Sequence, residues 1–190
     1  EAFASGKGHV EIWYQTHASG ATMEIELGEH TEELDTKSEE TQDAWKRLPL
    51  KGEADALQLR LKSRGPGQLR MYGVVFETGE SGVVWDATPH TGSFANRVLN
   101  QDPEHFKRQI GHREVDLLVY NFGGNDVRRV ADGNLSREAL AEDLGAAIAL
   151  YRSGRPEMSC LVVSSTDHAK SGSVRVEPKD MEKVIGAQRD

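Results

Sequence analysis

Residues 115–128 constrain the fold most, because an apolar run passes there within a few residues into a polar turn. Residues 117–120 read Leu-Leu-Val-Tyr, and so short and continuous an apolar run is typical of a strand covered on both faces. We therefore predict a central parallel strand. Gly123 and Gly124 then let the backbone turn without a Cβ clash. Asn125 is expected at the carboxyl end of the sheet, where open α/β sheets bind ligands.

Residues 9–72 follow a different pattern, an alternation with period two. Met23, Ile25 and Leu27 alternate with glutamates, as in strands that have one face in water. Turn sequences rich in glycine, such as Gly65-Pro66-Gly67, separate the runs. We predict that residues 1–72 form an antiparallel β-sandwich, jelly-roll-like in its topology.

Three aromatic residues lie in these predicted strands, and they leave two interpretations open. Trp13, Tyr14 and Trp45 could form a platform on which sugar rings stack. Aromatic residues in strands serve more often in the core or in cross-strand packing.

From residue 73 onward, predicted strands and helices alternate. Short apolar runs at residues 73–76, 83–85 and 158–164 are expected to be strands, and Cys160 within the last run is expected to be a buried structural thiol. The helices are marked by a cap or a proline at their start: Asp102 with Pro103, Ser136, and Pro178. The order predicts that residues 73–190 form an α/β domain with a three-layer, doubly wound parallel sheet, flavodoxin-like in its layering.

Composition excludes several functions. The net charge is -8 and no basic cluster is present, which argues against a nucleic-acid partner. No apolar stretch approaches the ~20 residues of a membrane span. His105 and His112 lack the spacing of metal ligands on one helix face, and no Lys-Ser or Lys-Thr follows Gly123-Gly124 as a phosphate loop requires. We predict neither a metal nor a cofactor.

Two loops carry groups that suit acyl transfer, Thr91-Gly92-Ser93 and residues 123–126. An oxyanion develops on the carbonyl in such reactions, and each preorganised donor stabilises it by about 3–4 kcal/mol. Gly92 offers a backbone amide and Asn125 a side-chain amide. Further candidate binding residues are Gly123, Gly124, Asp126 and His90. His90 could equally be a surface loop residue, and Asn125 a turn residue that bonds its own backbone.

At these residues the sequence resembles the SGNH (GDSL-type) hydrolases. The third block of that family, Gly-x-Asn-Asp, stands here as Gly123-Gly124-Asn125-Asp126, and the glycine of its second block stands as Gly92. Residues 73–92 are similar to the bacterial branch with a β-sandwich inserted between the first two blocks, a branch that includes peptidoglycan O-acetylesterases. The resemblance implies a serine esterase acting on an acylated polysaccharide or a small ester, in the bacterial periplasm or secreted.

Two blocks of the family have no counterpart where the resemblance requires them. Gly-Asp-Ser, with the nucleophile, is absent, and we expect no counterpart of the last block, Asp-x-x-His with the acid and base, either. The resemblance implies that both lie outside these 190 residues, which alone should not turn over esters. As local substitutes, Asp167-His168 are adjacent and poorly suited to a triad, and Ser164 and Ser165 lack the glycines of a nucleophile elbow. The alternative is a non-catalytic glycan-binding protein.

Overall fold

The computed structural model describes residues 8–50, 58–165 and 176–190. The chain divides into two compact units, Glu1–Asp86 and Ala87–Asp190. The boundary expected after Tyr72 lies inside a strand of the first unit.

The first unit is built from antiparallel strands. In chain order they are β1 (His9–Thr16), β2 (Thr22–Leu27), β3 (His30–Asp35), β4 (Gln42–Pro49), β5 (Leu59–Arg64) and β6 (Arg70–Glu77). β1 lies between β4 and β6 in a first sheet, and β2 lies between β3 and β5 in a second. Since β1 and β2 are the central strands, they contribute most of the unit's interior.

The core of this unit lies between the two sheets. β2 buries Met23 and Ile25 completely, and β1 does the same with Val10 and Ile12. Side chains from both sheets belong to one buried cluster, and each large aliphatic residue in it contributes about 1.5–3 kcal/mol of burial free energy. Tyr14 also points into this core, so it does not share a face with Trp13.

The run at residues 73–76 does not begin an α/β layer. It belongs to β6, where Val74 pairs with Ile12 of β1 in antiparallel register. The run at residues 83–85 is not a strand, and its side chains are open to solvent, with Val83 95% and Trp85 70% exposed. Short apolar runs fix neither a partner nor a direction of pairing, and this is why both were misassigned.

The second unit is mainly helical. Its elements are a 3-10 helix (Arg97–Asn100), α1 (Pro103–Arg113), β7 (Leu117–Tyr120), α2 (Asp126–Ala131), α3 (Arg137–Gly154), β8 (Ser159–Val162) and α4 (Pro178–Arg189). Two predicted helix starts are confirmed by their caps. Asp102 accepts a hydrogen bond from the His105 amide at 2.6 Å, and Ser136 accepts one from the Ala139 amide at 3.1 Å.

The predicted three-layer, doubly wound parallel sheet is wrong. β7 and β8 pair in parallel, but within the described part of the chain they form a sheet of two strands. The interior of the unit lies mostly among its helices, around Leu140, Leu144 and Val184. An apolar run was taken as evidence of cover on both faces, whereas Leu117 is 51% exposed.

β8 departs from expectation in the same way. The run was predicted to be a buried strand, yet Leu161 is 51% exposed. Cys160 is likewise exposed, so its assignment as a buried structural thiol is wrong. Partial desolvation still raises the pKa of the Cys160 thiol above its usual value.

Candidate functional site

The first part of the candidate site is the turn that follows β7. Gly123 has φ +115°, and a Cβ at this position would lie 2.9 Å from Cγ1 of Val184 in α4. The Phe122 carbonyl beside it accepts a hydrogen bond of 2.8 Å from Nε2 of Gln188. The backbone conformation and the close approach of α4 both require glycine here.

The second part is a tight turn ahead of the 3-10 helix. The Ser93 amide donates to the His90 carbonyl at 3.1 Å, and Gly92 has φ +72°. A positive φ at the third residue of a β-turn is the geometry that favours glycine. In the part of the chain that the structure describes, no acceptor is recorded for the Gly92 amide. A Cβ on Gly92 would contact nothing within 4 Å, so the turn is open.

Asn125 joins the two turns. Its Nδ2 donates a hydrogen bond of 2.8 Å to the Ser93 carbonyl. The structure thus brings the loops of Gly92 and Asn125 together. A carboxamide nitrogen carries two hydrogens, and among the described residues only the Ser93 carbonyl is recorded as an acceptor for them. The Asn125 side chain does not cap α2, and the residue is exposed.

The buried carboxylate of Asp126 also links the same two loops. It is fully buried, and its Oδ2 accepts the Ala95 amide at 2.9 Å. Burial raises the pKa of this carboxyl above its ordinary 3.8, against the opposing effects of the Ala95 hydrogen bond and of Arg129. The Nη1 of Arg129 lies 3.5 Å from Oδ1. Asp126 therefore holds the loop, and a ligand cannot reach its side chain without displacing that packing.

Tyr120 adds a further tie between β7 and the loop. Its hydroxyl donates to the Ala95 carbonyl, so that Asp126 and Tyr120 together satisfy both backbone polar groups of Ala95. Burial raises the pKa of the Tyr120 hydroxyl, which keeps it protonated as the donor. The guanidinium of Arg129 lies over the Phe94 ring at 4.8 Å. These contacts were not foreseen, since nothing local in the sequence links Tyr120 or Phe94 to its partner.

The remaining candidates have the following places. His90 is exposed at the start of its turn, and Gly124 stands between Gly123 and Asn125. Ser93 is buried, and its Oγ donates a long hydrogen bond of 3.4 Å to the Phe94 carbonyl. Ser93 is therefore a buried residue of the loop.

The structure gives little support to the local substitutes for a catalytic triad. Nδ2 of Asn121 donates to the carbonyls of Val163 and Ser164 at 3.2 and 3.4 Å, so Ser164 lies in a connection anchored after β8. Asp167-His168 lie outside the described residues.

An Asp-x-x-His spacing does occur once in the chain, at Asp102 and His105. The sequence analysis missed it. Its carboxylate accepts the backbone amide of His105 and caps α1, and the pair is therefore accounted for as a helix start.

Neither a metal cluster nor a membrane helix is found in residues 8–50, 58–165 and 176–190. No group of three or more His, Cys, Asp or Glu side chains there is arranged to hold an ion. No helix in those ranges combines the length and the apolar character that crossing a bilayer would demand.

Comparison with known proteins identifies no family for this chain. No protein-family model matches the sequence, and no curated protein matches it.

Proposed function

We propose that the paired turns supply the oxyanion-stabilising donors of an esterase that cleaves or transfers O-acyl groups. One observation carries the proposal: Nδ2 of Asn125 lies 2.8 Å from the carbonyl of Ser93, the residue next to Gly92. The two amides singled out for one oxyanion thus belong to loops in direct contact.

The anchoring hydrogen bond suits this role. Donors to an oxyanion are effective when they are fixed before the reaction, because they then need no reorganisation as charge develops. One N–H of Asn125 fixes the plane of the carboxamide on Ser93. The proposal assigns the second N–H, together with the amide of Gly92, to the substrate oxygen.

The substrate class comes from the resemblance to the SGNH hydrolases. It is an O-acyl group, in particular an O-acetyl group, of a bacterial cell-envelope polysaccharide. Such a polysaccharide lies outside the cytoplasm, so the proposal places the protein in the periplasm or outside the cell. The nucleophile and the acid–base pair are assigned to encoded sequence beyond these residues, and activity is therefore to be measured on the protein as encoded.

The test compares two asparagines that both anchor a loop. Asn125→Ala should lower kcat for p-nitrophenyl acetate by about 10²–10³ with little change in KM, because the lost donor acts on the transition state. Asn121→Ala is the matched control. It removes a carboxamide that also bonds backbone carbonyls at the end of the parallel pair, and kcat should change by no more than a few-fold.

Melting temperatures of both variants separate chemistry from folding. If Asn125→Ala and Asn121→Ala reduce kcat equally, in proportion to a shared loss of stability, then Asn125 is a loop anchor and the oxyanion assignment is wrong.

A further inference from the structure

The outer face of the first sheet, away from the sandwich core, carries a row of aromatic and polar side chains. On β1 this row is Glu11, Trp13 and Gln15, since the residues between them are in the core. Their partners on β4 are Arg47, Trp45 and Asp43. We refer to these residues, together with Arg70, Tyr72 and Gly73 of β6, as the outer face.

The aromatic rings on this face are fixed by a ring contact and by hydrogen bonds from their polar atoms. The Trp13 and Trp45 rings meet edge to face with centroids 6.4 Å apart, and Nε1 of Trp13 donates to Glu11 at 2.8 Å. Tyr72 is 40% exposed, and its hydroxyl donates to Oδ1 of Asp43 at 2.8 Å. Fixed rings offer contact area to a ligand at little cost in conformational entropy.

Gly73 leaves a gap beside Trp13. The two residues are direct partners across β1 and β6, so their Cβ positions would be about 4.5–5.5 Å apart. A Cβ built on Gly73 meets no atom within 4 Å, which means that the indole does not cover the glycine. A glycine inside a strand weakens it and often marks a place where a ligand approaches closely.

The polar groups around the gap suit hydroxyls. Nε2 of Gln15 donates to the Tyr72 hydroxyl at 2.8 Å, and Nη1 of Arg70 donates to Oε1 of Gln15 at 3.0 Å. Glu11 is paired with Arg47 at 3.0 Å. The carboxylates of Glu11 and Asp43 equal the guanidiniums of Arg47 and Arg70 in number, and Glu77 adds one more carboxylate at the end of the same face, 3.6 Å from His9. Among these residues there is no excess of positive charge that would favour a phosphate or a polyanion over a neutral ligand.

We propose that the outer face binds a neutral, β-linked pyranose chain, with one sugar ring in the gap over Gly73 and against Trp13. The C–H face of an all-equatorial pyranose presents a flat apolar surface to an aromatic ring, and its hydroxyls project sideways toward planar amide, carboxylate and guanidinium groups. Gln15, Asp43 and Arg70 are those groups. The inference is independent of the esterase proposal, since it concerns another face and unacylated sugar.

The experiment places a side chain in the gap over Gly73. Gly73→Val adds a β-branched side chain that strands favour, and its Cβ has no atom within 4 Å, so the fold should persist while the sugar is blocked. Titration calorimetry of the full chain with cellohexaose and with chitohexaose should show binding of at least one hexasaccharide by the wild type. Gly73→Val should weaken that binding at least tenfold. Thr31→Val, exposed on β3 of the other sheet, should leave it unchanged.

A second variant covers the case in which Gly73→Val lowers the melting temperature. Tyr72→Phe keeps the ring and removes the hydroxyl that joins Gln15 and Asp43, and it should weaken binding several-fold. The proposal is overturned if the wild type binds neither hexasaccharide. It is also overturned if Thr31→Val weakens binding as much as the variants of the outer face do.

Discussion

The two units use apolar strands in opposite ways. In the first unit β2 lies between two neighbours and under a second sheet, and Ile25 is fully buried. In the second unit β8 has one recorded neighbour, β7, and Leu161 keeps 51% of its surface exposed. The Thr-Met-Glu-Ile-Glu-Leu sequence of β2 is half polar, whereas the Ser-Cys-Leu-Val sequence of β8 has one polar residue in four. Between these two strands, burial therefore follows the number of neighbours and not the apolar content.

The comparison also extends to electrostatics. In the first unit, hydrogen bonds from Arg64 and then Lys62 lower the pKa of Glu24 from 4.5 to about 2. In the second unit, burial raises the pKa of Asp126. One carboxyl is stabilised in its charged form and the other in its neutral form, so acid should change the contributions of Glu24 and Asp126 to stability in opposite directions.

The largest expected effect tests burial. Ile25→Ala should reduce the free energy of unfolding by about 2–5 kcal/mol, because it leaves a cavity between the sheets. Leu161→Ala should cost only about 1 kcal/mol, since half of that side chain is already in water. Calorimetric or denaturant unfolding of both variants measures the difference. Equal losses would mean that the exposed side of β8, where Leu161 lies, is covered in solution. The contrast between the units would then fail.

A smaller effect is expected at the turns of the candidate site. Gly123→Ala must place a side chain at φ +115° and against Val184, which should cost about 1–3 kcal/mol from backbone strain alone. Gly92→Ala has φ +72° and open space around it, and should cost ~1 kcal/mol. Urea denaturation of both variants distinguishes them. A Gly92 variant less stable than the Gly123 variant would show that the open turn, and not the packed one, holds the unit together.

The smallest effect is a pH dependence with opposite signs. The pKa of Asp126 is raised on folding, so its favourable contribution is present below its ordinary 3.8 and is lost as the pH rises through the folded value. Asp126→Asn, which cannot ionise, should therefore gain in melting temperature relative to the wild type as the pH increases from 3 to 7.

Glu24→Gln provides the contrast. The folded pKa of Glu24 is depressed, so its contribution is present above its ordinary 4.5 and is lost as the pH falls toward about 2. This variant should match the wild type near pH 2 and fall behind it as the pH rises. Parallel profiles for Asp126→Asn and Glu24→Gln would contradict the assignment of opposite shifts to the two units.

Local features of the sequence were sufficient for part of the fold. Asp102 with Pro103 and Ser136 mark the starts of α1 and α3, because a cap depends only on the residues of the first turn. The alternation in β2 gives its buried face, since successive side chains of a strand point to opposite sides.

The candidate site could be predicted only in its parts. Gly123 has the positive φ that the predicted turn at Gly123-Gly124 favours, whereas Gly92, which also has a positive φ, was predicted only as a loop residue. The hydrogen bond from Asn125 to Ser93 joins residues 32 positions apart. Nothing in either loop encodes it, and the same holds for the tie between Asp126 and Ala95.

What the sequence determined by itself was therefore the helices α1, α3 and α4, the caps of α1 and α3, the alternating strands and the turn at Gly123. The tertiary structure decided that residues 73–76 pair with β1 instead of opening an α/β layer, that residues 83–85 stay exposed, and that β7 and β8 form a narrow parallel pair. The reason is physical. Caps and periodicity depend on neighbours within one turn or a few residues, whereas strand partners and burial depend on contacts between distant segments, and a run of three or four apolar residues does not specify those contacts.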